Sequence, residues 1–456
     1  NAGLPQSTHS VQPHSFAQIR TTSIDKHPRS TAESSTHQPR RNLVHRLIKN
    51  RLLPALALAA ALISPSAHAQ AASGNDPIKL GLIDIYSGGF AFIADSIRTG
   101  FQIAVDEANA AGGLKGRPFQ LVSADMGGQV EKAVTEGRRM ILEDKIKFVT
   151  VGIHSGAAIA VGNLGKEHKV LVTGGFATTK RLTGESGHPY ISRANLSTVE
   201  IGSVIAEYIK ARPEIKRIST IAPDYEYGQQ FIEDFMRALK AARPDVVVVR
   251  QEWSKLGATD FSAHVTALQA QPVDLIVNGG FGADLVNLLK ASKDFGLFAG
   301  KTQFFTHGLD LVKMSSVKDL LPANTAGTVW YPFYALNSAK SKSFAAEVEK
   351  RMKTYPTGPT TVGYSAGKMI VESIRKAGTA TDVEKVIQAM STISFEGPTG
   401  KTKVRGCDNM AMFDFYVGTV KRDAAFPDGI GVTDIKTYRT EDYARPCQEL
   451  LRSRGS

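Results

Sequence analysis

The chain has 456 residues, of which 42% are hydrophobic and 21% are charged, a globular composition with room for two or three domains. Its net charge of +12 is unevenly distributed, because residues 1–70 carry eight Lys or Arg against two acidic residues. Elsewhere basic and acidic residues are interleaved and form no basic stripe with aromatic residues between, so we expect no nucleic acid among the partners.

Residues 40–69 have the three-part layout of a secretory signal peptide. A basic region that begins at Arg40 is followed by an apolar run over 52–63 and then by small residues up to Ala69. The pattern predicts export, with cleavage after Ala69. The run is shorter than the roughly 20 residues that cross a bilayer, and a short membrane anchor is the alternative. Residues 1–39 are polar and patternless, and we expect them to be disordered and non-native or upstream.

Cys407 and Cys447 are the only cysteines in the sequence. In an exported protein the simplest expectation is a disulfide between them, which would stabilise the fold by about 3–4 kcal/mol. The alternative is two free, buried thiols.

Predicted strands and helices alternate from Ile78 onward, in two successive halves. Apolar residues at helical spacing mark the helices, and short apolar runs mark the strands. In chain order the elements are strand 78–85, helix 97–111, strand 119–124, helix 130–143, strand 148–151, helix 157–168, strand 170–172, helix 197–211, strand 217–222, helix 228–242, strand 246–250, helix 261–269, strand 275–278, helix 285–294, strand 303–305, helices 343–354, 362–377 and 382–390, and an antiparallel-looking strand at 410–420. This alternation predicts an α/β fold with two doubly wound, Rossmann-like lobes.

No segment carries the residues of a catalytic site. Residues 363–367 (Gly-Tyr-Ser-Ala-Gly) match the hydrolase G-x-S-x-G turn, but no strand precedes them and the last histidine is His307. Two Gly-Lys-Thr triplets, at 300–302 and 400–402, have Phe where a P-loop requires its first glycine. The histidines have no metal-ligand spacing. We therefore expect a protein that is not an enzyme and that holds no metal and no cofactor.

Ligands of open α/β sheets bind where loops leave the carboxyl ends of the strands. Ser155 lies in such a loop, between His154 and Gly156, where a strand leads into a helix. Amides at a helix start and a hydroxyl group favour a carboxylate ligand. The alternative is that Ser155 only caps the helix. Other such loops, rich in glycine, hydroxyl and aromatic residues, are 174–179, 224–228, 280–282 and 307–310.

The helix-turn segment 97–118, with Val-Asp-Glu-Ala-Asn-Ala-Ala-Gly-Gly-Leu-Lys-Gly-Arg-Pro at its end, carries a family resemblance. Together with the Ser155 loop, Tyr227-Gly228 and the Phe-Glu-Gly-Pro-Thr-Gly of 395–400, it resembles the periplasmic leucine/isoleucine/valine-binding protein family, the type I solute receptors of ABC importers. The resemblance extends over about 78–420.

This resemblance implies the type I periplasmic binding protein fold, with two lobes joined by a multi-strand hinge. The implied boundaries are 78–195 plus 330–395 for the first lobe and 196–329 plus 396–450 for the second. The implied function is capture of a small carboxylate in the periplasm by hinge closure, for an ABC permease in the inner membrane. The ligand would be an amino acid of the branched-chain type. The alternatives are an amine-free organic acid, such as an aromatic acid, and a ligand-sensing receptor subunit.

The resemblance also assigns roles to residues of the loops. Ser155 and the adjacent backbone of His154 and Gly156 would hold the ligand carboxylate. The Phe176 carbonyl and the Thr178 hydroxyl would meet an α-amino group, and Ala177, part of the resembling pair Ala177-Thr178, is a further ligand-binding candidate. Tyr227 would close over the ligand from the second lobe, and Phe90, Phe281 and Trp330 are candidates for the side-chain pocket. Relatives that bind amino acids have an acidic residue after the last second-lobe strand, where Asp310 is the candidate. His154 and His307 would also suit an aromatic acid.

Overall fold

The sequence pattern of alternating strands and helices is present in the structure, a computed structural model that describes residues 76–454. The predicted signal peptide and residues 1–39 lie outside the described residues. The strands are β1 (Ile78–Asp84), β2 (Phe119–Asp125), β3 (Phe148–Val151), β4 (Leu171–Gly174), β5 (Ile191–Arg193), β6 (Arg217–Pro223), β7 (Val247–Ser254), β8 (Leu275–Asn278), β9 (Gln303–Thr306), β10 (Thr325–Val329), β11 (Ser394–Gly397), β12 (Gly400–Arg405), β13 (Met410–Met412), β14 (Asp414–Arg422) and β15 (Ile430–Arg439).

The α-helices are α1 (Ala91–Ala110), α2 (Val130–Leu142), α3 (Ser155–His168), α4 (Thr198–Lys210), α5 (Glu226–Ala242), α6 (Ser262–Gln269), α7 (Gly282–Asp294), α8 (Met314–Val317), α9 (Ala339–Met352), α10 (Gly358–Ala377), α11 (Val383–Met390), α12 (Thr440–Tyr443) and α13 (Cys447–Ser453). Short 3₁₀ helices lie at Gly88–Phe90, Lys180–Leu182, Phe333–Ala335 and Pro427–Gly429. Within the described residues, no helix is both long and apolar enough to cross a membrane.

Two separate sheets form the cores of two lobes. The first sheet has the order β11-β12-β13-β5-β4-β3-β1-β2, and the second has the order β15-β14-β10-β9-β8-β6-β7. Strands β1 to β5 pair in parallel, as do β6 to β10, whereas β14 runs antiparallel to β10. The central strands β3 and β8 are buried along their whole length. Parallel strands covered on both faces read as continuous apolar runs, which is why the sequence predicted them.

The boundary that the sequence placed at residue 396 is wrong. Strands β11, β12 and β13 belong to the first sheet, because β11 and β12 form a hairpin and Met410 in β13 pairs with Arg193. The predicted single strand at 410–420 is two strands, one in each sheet, and the chain crosses between lobes at Phe413. Residues 396–412 therefore extend the first lobe.

The C-terminal segment returns to the first lobe after β15. The predicted disulfide between Cys407 and Cys447 is present and joins the β12–β13 loop to α13. Arg445 donates from Nη2 to the carbonyl oxygen of Lys180 at 3.1 Å, and Arg454 donates to the carbonyl of Thr183. The segment from 445 onward thus packs against the loop that follows β4, and the predicted second-lobe range is again too long.

The G-x-S-x-G match lies inside α10 and serves helix packing. A side chain at Gly363 would place its Cβ 2.0 Å from the carbonyl oxygen of Ile97, and one at Gly100 would come within 1.9 Å of the carbonyl oxygen of Thr360. Helices α1 and α10 can approach this closely only because both positions are glycine. The local structure is continuous helix, not the strand–turn–helix of a hydrolase nucleophile.

Candidate functional site

A narrow cavity lies between the lobes, where β3 and β4 of one sheet and β6, β8 and β9 of the other end. Its position is the one expected for a ligand of parallel α/β sheets. Aromatic and aliphatic side chains dominate its wall, and no acidic, Lys or Arg side chain lines it. The lining residues are Ile93, Ile153, Phe176, Thr178, Tyr225, Tyr227, Phe281, His307 and Leu311. We call this space the main cavity.

Ring contacts bridge the two lobes around the main cavity. Phe90 of the first lobe packs on Phe281 of the second, with ring centroids 5.4 Å apart. His154 packs on Tyr225 in the same way, at 5.0 Å. Tyr227 meets Phe281 edge to face at 5.7 Å, in the geometry that aromatic pairs prefer. The wall is therefore aromatic on both sides of the cleft.

The start of α3 is held by His154 and not by Ser155. The Nδ1 atom of His154 accepts the Ala157 amide at 3.2 Å and caps the helix. This corrects the alternative in which Ser155 is the cap. The Ser155 hydroxyl is buried and accepts the Thr179 amide at 3.3 Å, which ties the 176–179 loop to α3. The amides of Ser155 and Gly156 belong to the first turn, where helical amides have no intrahelical partner.

Arg193 holds the 176–179 loop in place through hydrogen bonds to its backbone. This fully buried side chain donates from Nη1 to the Ala177 carbonyl at 2.6 Å and from Nη2 to the Thr179 carbonyl. Burial lowers the pKa of its guanidinium to about 10, which leaves it charged. The Thr178 hydroxyl lines the main cavity and has no hydrogen-bond partner among the described residues.

His307 lines the main cavity as a neutral imidazole. Burial lowers its pKa to about 3. The Thr328 hydroxyl accepts the Gly308 amide at 2.9 Å and lies 3.0 Å from His307 Nδ1, so its own proton is free for Nδ1. A neutral imidazole has one donor and one acceptor nitrogen, so Nε2 is the donor in the tautomer whose Nδ1 accepts from Thr328. The Tyr227 hydroxyl is occupied, because it donates to the Gly279 carbonyl at 2.9 Å.

Asp310 does not line the main cavity. Its Oδ2 accepts the amides of Trp330 at 3.0 Å and of Tyr331 at 2.9 Å, in the segment where the chain returns to the first lobe. Burial raises the pKa of this carboxyl to about 6. The residue that the sequence placed opposite a ligand ammonium group instead supports the hinge.

A set of polar contacts closes the lobes beside the main cavity. Lys180 pairs with Asp234 at 2.9 Å and with Glu233 at 2.7 Å, and Thr198 donates to Asp234 at 2.6 Å. A second group joins Thr179 and Arg181 to Glu226 at 2.6 and 2.9 Å. We call the contacts of residues 179–181 with α5 the interlobe clasp, and the Thr198 hydroxyl supports it by its bond to Asp234. The sequence analysis did not predict it.

The structure thus brings part of the predicted site together. Phe176, Thr178, Tyr227 and Phe281 line the main cavity, and Phe90, His154 and Trp330 pack against lining rings. Ser155, Gly156 and Ala177 lie in the supporting loops. The sequence analysis missed Ile93, Ile153, Leu311 and Arg193. The sequence carries no clear signal for Arg193, because the segment around it, Ile-Ser-Arg-Ala-Asn-Leu, mixes polar and apolar residues.

Comparison with known proteins agrees with this architecture. Residues 77–425 match the family described as periplasmic binding protein. The Leu/Ile/Val-binding protein BraC3 of Rhizobium johnstonii is 28% identical over 364 residues, which cover 78% of this chain and 92% of that protein.

Solved structures share the fold at lower identity. A solute-binding protein of an ABC transporter from R. palustris, in complex with 4-hydroxybenzoate, has a TM-score of 0.72 and 21% identity, and the match covers 83% of this chain and 100% of that one. The branched-chain amino acid transporter substrate-binding protein LivJ of Streptococcus pneumoniae, in complex with isoleucine, has a TM-score of 0.67 and 20% identity, with 80% and 99% covered.

These matches confirm the predicted type I periplasmic binding fold, the predicted family resemblance and the expectation that the protein is not an enzyme. The family match extends over most of the chain and includes both lobes and all of the main cavity's lining residues. The chain belongs to the periplasmic binding protein family.

Proposed function

We propose that this protein captures a small, amine-free carboxylate with an aromatic or apolar body, in the periplasm, and delivers it to an ABC permease. The observation that carries the proposal is the chemistry of the main cavity. Its wall combines neutral hydrogen-bond donors with four aromatic rings besides His307, and it contains no acidic side chain.

The donors suit a carboxylate. Thr178 and Tyr225 bring hydroxyl groups that have no partner among the described residues, and His307 brings a neutral imidazole, which donates from Nε2 when Nδ1 accepts from Thr328. The first-turn amides of α3 add the positive end of a helix dipole. Charge-assisted hydrogen bonds of this kind are about twice as strong as neutral ones. Ser155 supports the site through the Thr179 amide and can turn its hydroxyl toward a bound anion.

An α-amino group has no matching partner in this cavity. An ammonium ion taken out of water without a counter-charge costs several kcal/mol. The acidic side chains around the main cavity lie outside its lining: Asp310 accepts the amides of Trp330 and Tyr331 with Oδ2, and Glu226 belongs to the interlobe clasp. The geometry therefore favours the amine-free acid over the branched-chain amino acid.

Ligand capture would proceed by hinge closure. A carboxylate bound at the start of α3 presents its body to Tyr225, Tyr227 and Phe281 of the second lobe, and it stabilises the closed form by the contacts that only this form makes. The interlobe clasp adds protein–protein contacts to the same form. The closed shape is the one that a permease would recognise.

Isothermal titration calorimetry of the purified protein with benzoate, cyclohexanecarboxylate and leucine tests the proposal. We expect micromolar dissociation constants for one or both amine-free acids and at least about tenfold weaker binding of leucine, a difference of 1.4 kcal/mol or more. Tighter binding of leucine would contradict the amine-free assignment. Binding of benzylamine in place of the acids would contradict a carboxylate site altogether.

A further inference from the structure

A second, small cavity lies on the other side of Asp310 from the main cavity. Both lobes and the returning segment contribute to it. It is lined by Leu309, Asp310, Val312, Met314, Val329, Tyr331, Phe333, Tyr334, Tyr355, Pro356, Thr357, Pro427, Ile430 and Val432. We call it the hinge cavity. Its lining contains one ionisable carboxyl group and no basic side chain.

Two buried polar atoms of the hinge cavity have no partner in the described part of the chain. These are Oδ1 of Asp310 and Oγ1 of Thr357, on residues that are 8% and 2% exposed. Buried polar groups in native proteins nearly always have a hydrogen-bond partner, so two orphans on one cavity wall indicate a missing ligand or water. Among the described residues, the groups that stabilise the charge of the Asp310 carboxylate are backbone amides.

The remaining wall is suited to a cation. Four aromatic rings, of Tyr331, Phe333, Tyr334 and Tyr355, line the same space, and Phe333 and Tyr355 are stacked with centroids 6.0 Å apart. Burial, with a smaller contribution from the Asp310 carboxylate, raises the pKa of the Tyr334 phenol to about 12, and its oxygen accepts the Val432 amide at 2.6 Å. Aromatic faces attract ammonium groups, and a buried carboxylate supplies the counter-charge.

We propose that the hinge cavity is a second ligand site that binds a small organic cation, a primary alkylammonium, with its nitrogen between Oδ1 of Asp310 and Oγ1 of Thr357. The alkyl body would lie against the tyrosine and phenylalanine rings. This site is separate from the proposed carboxylate site and requires a ligand of the opposite charge.

Trp330 connects the two cavities through its contacts with lining residues of each. The Trp330 amide donates to Asp310, and the Trp330 ring packs on His307 at 4.9 Å and on Phe176 at 5.2 Å, both lining residues of the main cavity. A cation at Asp310 therefore acts on the segment that positions the carboxylate site. By linkage, the cation and the carboxylate change each other's affinity by the same factor.

The probe is n-butylammonium chloride, titrated calorimetrically into the full chain with and without saturating benzoate. We expect binding of butylammonium and at least about tenfold weaker binding of n-butanol, which has the same body without the charge. The Asp310→Asn variant keeps the oxygen that accepts the Trp330 and Tyr331 amides and should lose about tenfold or more in butylammonium affinity. The Asp245→Asn variant, which removes an exposed carboxylate, is the matched control and should bind as the parent does.

Several results would overturn the proposal. They are the absence of butylammonium binding up to about 10 mM, equal binding of butanol, and unchanged affinity of Asp310→Asn. Should Asp310→Asn fail to fold, the Thr357→Val variant keeps the carboxylate and the hinge contacts. It should still lower the affinity for butylammonium by about a few-fold. A crystal soaked in butylammonium with only a water between Asp310 and Thr357 would also overturn it. None of these results depends on benzoate binding, which tests the main cavity separately.

Discussion

The main cavity and the hinge cavity are separated by Trp330 and Asp310 and have opposite chemistry. The main cavity has neutral donors and no acidic lining residue, whereas the hinge cavity has an unpaired carboxylate and no basic one. Both are lined mostly by aromatic and aliphatic side chains, so apolar character alone does not distinguish them. The difference lies in which polar atoms lack a protein partner, and those atoms determine the charge that each cavity accepts.

Removal of the Trp330 side chain, which connects the two cavities, should have the largest effect on stability and on ligand binding. Trp330 is fully buried, its Nε1 donates to Asn195 at 2.9 Å, and its ring contacts both Phe176 and His307. Trp330→Ala should lower the free energy of unfolding by about 3–5 kcal/mol and weaken both benzoate and butylammonium. Urea denaturation and calorimetry measure the two effects. The other tryptophan, Trp253, is the control, since Trp253→Ala lies in β7 away from both cavities. Weaker binding of only one of the two ligands would show that Trp330 does not connect the cavities.

The buried carboxyl group of Asp84 lies next to the main cavity. Asp84 accepts the amide of Ile153, a lining residue of the main cavity, at 3.1 Å, and its Oδ2 has no partner. Burial, with smaller contributions from Asp125 and Asp95, raises its pKa to about 7 from an ordinary value of 3.8. The folded protein therefore holds this proton more tightly than the unfolded chain does. The resulting stability is complete below pH 4 and is lost as the pH rises through about 7.

Asp84→Asn should remove this pH dependence. We expect the parent protein to lose a few kcal/mol of unfolding free energy between pH 5 and 8 through Asp84, and the variant to lose much less. Benzoate affinity should also fall over the same range in the parent, because an ionised Asp84 repels an anion above Ile153. Urea denaturation and calorimetry at the two pH values measure both effects. An equal loss of stability in parent and variant would contradict the assignment, and Asp294→Asn, at an exposed position, is the control.

Substitution of Ser155 should change ligand binding in the main cavity only. Ser155→Ala removes the acceptor of the Thr179 amide and a hydroxyl near the first turn of α3. The expected result is about tenfold weaker benzoate binding, close to 1.4 kcal/mol, with butylammonium unchanged. Ser373→Ala is matched in chemistry, since Ser373 is also buried but donates within α10 to Met369. Unchanged benzoate affinity in Ser155→Ala would remove Ser155 from the site.

Much of the fold, but less of the site, could be predicted from the sequence. Strands such as β3 and β8 are buried on both faces and read as apolar runs, so the two doubly wound lobes followed from periodicity. The crossing at Phe413 did not, because 410–420 is one continuous apolar pattern that two sheets divide between them. Ile153 and Leu311 line the main cavity yet look like ordinary core residues in the sequence. The orientation of the Asp310 side chain depends on its hydrogen bond with the Trp330 amide, in the segment where the chain returns to the first lobe. That bond is a tertiary contact, which the sequence pattern does not show.

The smallest effect is expected at the exposed edge of the interlobe clasp. Arg181 is 45% exposed on its side chain and pairs with Glu226 at 2.9 Å, whereas Lys180 is nearly buried between Glu233 and Asp234. Exposed ion pairs contribute about 0–1 kcal/mol, so Arg181→Gln should change benzoate affinity by less than about fivefold and leave butylammonium unaffected. Lys180→Met removes the charge from beside the buried Asp234 and should have the larger effect of the two, mainly through faster benzoate release in stopped-flow measurements. Equal effects would show that burial does not decide which clasp contacts hold the lobes together. The clasp would then be a surface network, and closure around the carboxylate would rest on the aromatic contacts alone.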